Sequence, residues 1–199
     1  MKVEIRNDSI HIEGYVNAVE RESRILPSPK GKFIEKVKAK TFQRALERQP
    51  NVDLLFNHDY NRKLGNTTEG NVQLWEDEIG LRAVVDINDP EIVEKAKNKQ
   101  LTGWSFAFRV NKDSWTDGED GIQRRTLEDI DLPEVSILSV TPAYIATSIE
   151  IRDEVATVIE HRNVDDIEYV VEEEVRNEPI DYSLFEYQIQ INKLKNKGH

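Results

Sequence analysis

The chain has 199 residues, 38 acidic against 27 basic side chains, a net charge of −11 and no cysteine. That inventory excludes disulfides, cysteine–zinc sites and thiol nucleophiles, and it argues against a general affinity for nucleic acid, which needs clustered Lys and Arg. No apolar run approaches the roughly 20 residues of a membrane span, and no apolar leader follows Met1-Lys2, so no membrane association is expected.

The predicted elements are mostly strands. "IHIEGYVNAV" alternates Ile10, Ile12, Gly14, Val16 and Ala18 on one face. "KFIEKV", "VDLLFNH", "NVQLWED", "GLRAVVDI", "WSFAFRV", "GIQRRTLEDI" and "EVSILSV" follow, separated in places by the turn-forming "PSPKG", "NTTEG", "DEIG" and "TDGEDG". Two short helices interrupt them. "TFQRALERQ" can start with Thr41 as N-cap, and "DPEIVEKAKNKQ" has Asp89 at the N-cap with Pro90 in the first helical position. The fold expected is mainly β with peripheral helices: a closed or nearly closed antiparallel barrel of about seven strands.

Charge divides the chain unevenly. Residues 1–151 hold 26 acids and 21 bases, whereas residues 152–199 hold 12 and 6, so the last quarter carries −6 of the −11. Acid blocks such as "VVEEEVRNEP" come first and "NKLKNK" last, the pattern of an extended interaction tail. A domain of residues 1–151 and a flexible or removable tail of residues 152–199 are expected. His161 and His199 fall in that tail and make a poor metal site.

Three residues carry chemistry when taken together. In "GWSFAFRV" alternation places Trp104, Phe106 and Phe108 on one face and Ser105, Ala107 and Arg109 on the other. Small neighbours leave room above the Ser105 hydroxyl, and Gly103 would let a substrate backbone come close. His58 ends the apolar "VDLLFN" strand, and Glu134 opens "EVSILSV" on the same face as Ser136 and Leu138. Singly, each has an ordinary reading: a strand serine, a rim histidine, a solvated acid. As a set they supply a nucleophile, the imidazole that accepts its proton, and the anion that orients the imidazole. The chain order His, Ser, acid and the absence of a G-x-S-x-G elbow set this apart from the common serine hydrolases.

From "IEGYVNAVE" through "LLFNHD", "GLRAVVDI" and "LTGWSFAFRV" to "LPEVSILSVTPAYIATSIEIR", roughly residues 8–151, the sequence resembles the prohead proteases of tailed bacteriophages. These serine peptidases are related in fold to the capsid maturation proteases of herpesviruses. The resemblance implies a herpesvirus-protease-like barrel, with Ser105 as nucleophile and His58 as base. Herpesvirus enzymes use a second histidine as the third member; here Glu134 stands in that strand, with Asp131 as the alternative. An oxyanion hole is implied near residues 141–144, where Pro142 has no N–H and Ala143 is the candidate. The implied substrate is the major capsid protein or its scaffolding segment, cut inside the procapsid in the host bacterial cytoplasm, with self-cleavage and homo-oligomerisation left open. No cofactor, metal, nucleic acid or membrane partner is expected. The competing reading is a noncatalytic capsid-assembly or scaffolding protein that keeps the barrel for binding.

Overall fold

Thirteen strands and two helices are formed by residues 1–28, 31–139, 148–152, 155–163 and 167–171, which the computed structural model describes. One sheet contains β1 (Lys2–Ile5), β2 (Ile10–Ala18), β7 (Val72–Glu76), β8 (Gly80–Ile87) and β13 (Glu168–Val171), in the order β13-β1-β2-β8-β7. The other contains β3 (Leu26–Ser28), β4 (Gly31–Val37), β5 (Asp53–Phe56), β6 (Asp59–Asn66), β9 (Gly103–Asp117), β10 (Gln123–Leu138), β11 (Ser148–Arg152) and β12 (Val155–Asn163). Its main path is β11-β12-β9-β10-β4-β3, with β5 paired to β10 and β6 to β5.

The two sheets share a single core. Ile10, Ile12, Leu81 and Val85 of the first meet Trp104, Phe106, Phe108, Val135 and Ile137 of the second, all without exposed surface. Each such side chain stabilises the fold by about 1.5–3 kcal/mol relative to an exposed one. Gly14 makes room for the largest of them: a Cβ there would lie 3.2 Å from the Trp104 indole nitrogen.

The helices seal the ends of this core. α1 (Thr41–Arg48) places Phe42 edge-on against Phe106, with ring centroids 5.5 Å apart. α2 (Pro90–Lys97) buries Ile92, Val93 and Ala96. Asp89 caps α2 as its sequence predicts, accepting the N–H groups of Glu91 and Ile92. Thr41 does not cap α1. Its hydroxyl donates to the carbonyls of β10 instead, and the helix starts after a left-handed Lys40. Glu76 of β7 reaches across to accept the Lys40 and Gln43 N–H groups. Tertiary packing has replaced a local cap.

The mainly β fold with two helices is as expected, and the closed or nearly closed barrel is not confirmed: among the described residues neither sheet is closed on itself. One departure from the expected strands lies in β10. "GIQRRTLEDI" and "EVSILSV" are one strand of 16 residues rather than two. Its first half pairs in parallel with β4 and its second half with β5, so the partners sit end to end along one edge. Two strands also lie past the boundary expected at Arg152: β12 pairs with β9 and β13 with β1. The remainder of the expected tail, residues 172–199, lies outside the described residues.

Candidate active site

The antiparallel register of β9 and β10 sets Glu134 opposite Ala107 and Ser136 opposite Ser105. Ser105, Ala107, Glu134 and Ser136 therefore share one face of the sheet, and Trp104, Phe106 and Phe108 of β9 share the other with Val135 and Ile137. The phase is set locally. Between Asp131 and Glu134, β10 carries one residue more than β9, and Pro133, which has no N–H to donate, falls in this bulge.

His58 reaches the face from a turn rather than from a strand. Phe56 and Asp59 close a two-residue β5–β6 hairpin whose tip is Asn57-His58, with φ of 52° and 60°. Positive φ at both residues is what a type I′ turn requires. Asn suits this conformation, but histidine in the second position, where glycine is usual, carries strain on the order of 1–2 kcal/mol. Strain of this kind persists only where surroundings over-determine it, and here they do. Asn57 donates its N–H to the Ile137 carbonyl at 3.0 Å. Its side-chain oxygen accepts the Ser139 N–H at 2.9 Å, and its amide nitrogen donates to Ser139 Oγ at 3.2 Å. The His58 N–H donates to Ser136 Oγ at 3.2 Å. The tip of the hairpin is thus stitched to the end of β10.

The imidazole then meets a buried carboxylate. His58 Nδ1 lies 2.7 Å from Glu134 Oε1, with side-chain exposures of 9% and 1%. The other carboxylate oxygen accepts the Ser136 hydroxyl, also at 2.7 Å. A carboxylate taken out of water this completely needs hydrogen bonds to its oxygens, and each Glu134 oxygen accepts one. A carboxylate can only accept, so Nδ1 carries the proton it donates, which leaves Nε2 as the nitrogen of the ring that can act as a base.

Ser105 is the register neighbour of Ser136, and directly opposed Cα atoms in an antiparallel pair lie about 4.5–5.5 Å apart. Ser136 Oγ is in turn 3.3 Å from His58 Nδ1. The structure thus gathers Ser105, His58 and Glu134 into one patch and adds Ser136 and Asn57, whose roles were not read from the sequence. One expectation fails. Ser105 has no exposed surface, nor do Glu134 and Ser136, so the small face is not open to a peptide here. β9 is an interior strand between β10 and β12, and Leu55, Ala107 and Leu138 on the same face are buried with it.

Asp131 stands apart from this patch. Its carboxylate accepts from Arg48 and Asn111, and its side chain is 35% exposed. On the other side of β9 the backbone register sets His161 opposite Ser105. Ala143 lies outside the described residues. No cluster of His, Asp and Glu able to hold a metal ion occurs among the described residues, and no described helix is long and apolar enough to cross a membrane.

A histidine whose Nδ1 is held by a buried acid, with strand serines on the same sheet face, is the equipment of a serine hydrolase. The comparisons narrow the class. The family model for the caudovirus prohead serine protease matches residues 1–162, and the chain belongs to that family. It is 26% identical over 151 residues to the prohead protease of Escherichia phage T5, covering 68% of this chain and 69% of that protein. No solved structure matches it. The protein is accordingly a serine protease, and a purely noncatalytic scaffolding role is set aside.

Proposed function

We propose that this protease cuts the scaffolding segment from major capsid subunits inside the procapsid, with Ser105 as nucleophile, His58 as general base and Glu134 as the orienting acid. The observation that carries the assignment is the 2.7 Å contact between His58 Nδ1 and buried Glu134 Oε1, with Glu134 two residues from Ser136, the cross-strand partner of Ser105. His58 Nε2 takes the Ser105 proton as Oγ attacks the scissile carbonyl, and Glu134 stabilises the imidazolium that forms. The imidazolium returns the proton to the leaving amine, giving an acyl-enzyme. Water activated by the same nitrogen hydrolyses it and restores Ser105. The N–H of Ala143 is the proposed oxyanion donor. Because Ser105 is buried, acylation requires this sheet face to open first.

The test is co-expression of the chain with its capsid subunit, wild type against Ser105→Ala, followed by mass spectrometry of both proteins. Wild type should convert the subunit to a shortened form. Ser105→Ala should fold and leave the subunit intact, since loss of a triad nucleophile removes several orders of magnitude of rate. Processing by Ser105→Ala at a near-normal rate would overturn the assignment.

A further inference from the structure

Ser136 shares the buried patch with Ser105 but is committed differently. Its hydroxyl donates to Glu134 Oε2 at 2.7 Å, and its oxygen accepts the His58 backbone N–H at 3.2 Å. Glu134 Oε1 in turn accepts from His58 Nδ1 at 2.7 Å. The three contacts form a closed ring: Ser136 to the carboxylate, the carboxylate to the imidazole, and the histidine backbone to Ser136. Each member of the ring fixes a different degree of freedom. The O–H fixes the carboxylate about its last torsion, the carboxylate fixes the ring and its tautomer, and the backbone contact holds the left-handed His58.

From this ring, and resting on the triad reading above, we infer that Ser136 is a positioning residue that aims the Glu134–His58 pair at Ser105. A hydroxyl has one proton, and that of Ser136 is given to Glu134. Ser136 is therefore not the serine that His58 deprotonates, although its oxygen lies only 3.3 Å from Nδ1. Removing the hydroxyl would take one hydrogen bond from the buried Glu134 Oε2 and one from the part-buried His58 N–H. An ordinary strand serine has no such connection to the chemistry.

The experiment uses the full chain and three variants: Ser136→Ala deletes the hydroxyl, Ser136→Cys keeps the volume with a weak donor, and Ser136→Thr keeps the hydroxyl. Two quantities are read for each: the second-order rate of Ser105 labelling by a fluorophosphonate, and the far-downfield proton resonance of His58 Nδ1–H, assigned with His58→Gln. Expected for Ser136→Ala is a labelling rate down about ten- to a hundredfold, the equivalent of one hydrogen bond to a charged group, with the resonance displaced or broadened. Ser136→Cys should show the same displacement with a smaller loss, and Ser136→Thr should restore both. Wild-type labelling and an unmoved resonance in Ser136→Ala would overturn the inference, as would a folded Ser136→Thr that behaves like Ser136→Ala. A rate loss with the resonance unmoved would overturn it too, since the effect would then bypass the histidine. If Ser136→Ala does not fold, Ser136→Cys decides by the same criteria. Ser105→Ala in the same assay separates the two levels: labelling that survives there sinks the triad itself, whatever Ser136 does.

Discussion

Glu134→Gln tests whether the acid serves chemistry or stability. The amide is isosteric with a carboxylate whose two oxygens accept from His58 and Ser136, at 2.7 Å each. It can be seated in two ways. With its oxygen toward His58, the imidazole keeps its tautomer, and Ser136 Oγ must accept from the NH₂; only the charge that stabilises imidazolium is lost. With its nitrogen toward His58, Nδ1 must become an acceptor, the ring proton moves to Nε2, and the base is lost. A wrong tautomer costs a serine protease about 10⁴ in rate, and charge loss alone a smaller factor, so labelling by a fluorophosphonate should fall by about 10²–10⁴. His58→Ala should fall further, toward the roughly 10⁶ seen when a triad base is removed. Stability should move little. Each charge-assisted hydrogen bond lost costs about 1.5–3 kcal/mol, but desolvation of a buried carboxylate, itself several kcal/mol, is relieved at the same time. A thermal melt within a few degrees of wild type, beside a rate at least a hundredfold lower, is the expected pair. Wild-type activity in Glu134→Gln, together with a crippled Asp131→Asn, would transfer the role to Asp131 and refute the reasoning.

Further expectations follow from the same structure. Asn57→Ala loses both side-chain hydrogen bonds to Ser139 at a left-handed residue, so it should destabilise by about 1–3 kcal/mol and slow labelling; Asn57→Gly should recover part of the stability but not the rate, as a melt and a labelling assay would show. Deleting residues 172–199 should leave a folded, labelling-competent protein that is depleted from purified procapsids if the charged segment serves recruitment. Deleting residues 153–199 also removes β12 and β13, which strips a neighbour from β9 and from β1, so that chain should be insoluble. Hydrogen bonding from Arg48 holds the Asp129 carboxyl below its ordinary value, and the Ala39 N–H and then Lys36 do the same for Glu20. A lowered folded value contributes stability above the unfolded value and loses it as pH falls through the folded one. The melting temperature should therefore drop below about pH 4, and more shallowly in Arg48→Ala.

Much of this was legible in the sequence because alternation is a local property. The faces of "GWSFAFRV" and of "EVSIL" follow from a period of two, and they placed Ser105, Glu134 and Ser136 correctly before any partner was known. Asp89-Pro90 is likewise a local signal and it held. What escaped depended on contacts between distant segments. Whether β10 is one strand or two is decided by β4 and β5 taking successive lengths of its edge, not by its own residues. Thr41 looks like a cap until Glu76, 35 positions away in sequence, takes that duty. "FNHD" contained a clue in Asn57, a residue tolerant of the left-handed region. Nothing local could say that His58 would adopt it as well, because the His58 backbone is held by Ser136, 78 positions away.

The strand period also explains how one pair of strands serves both packing and catalysis. On β9 and β10 the odd and even positions face different environments. Trp104, Phe106, Phe108, Val135 and Ile137 hold the two sheets together, and truncating one of these aromatics to alanine would cost about 3–5 kcal/mol. Ser105, Glu134 and Ser136 lie between them in sequence but on the opposite face, where Glu134 and Ser136 join His58 in a ring of polar contacts that the main core does not share. A one-residue slip of β10 against β9 would exchange the two sets, burying a carboxylate among aromatics and presenting isoleucine to the histidine. The apolar core therefore fixes the register that the chemistry needs. The bulge at Pro133 sets the phase at which that register begins, so moving it by one residue should abolish folding and activity together.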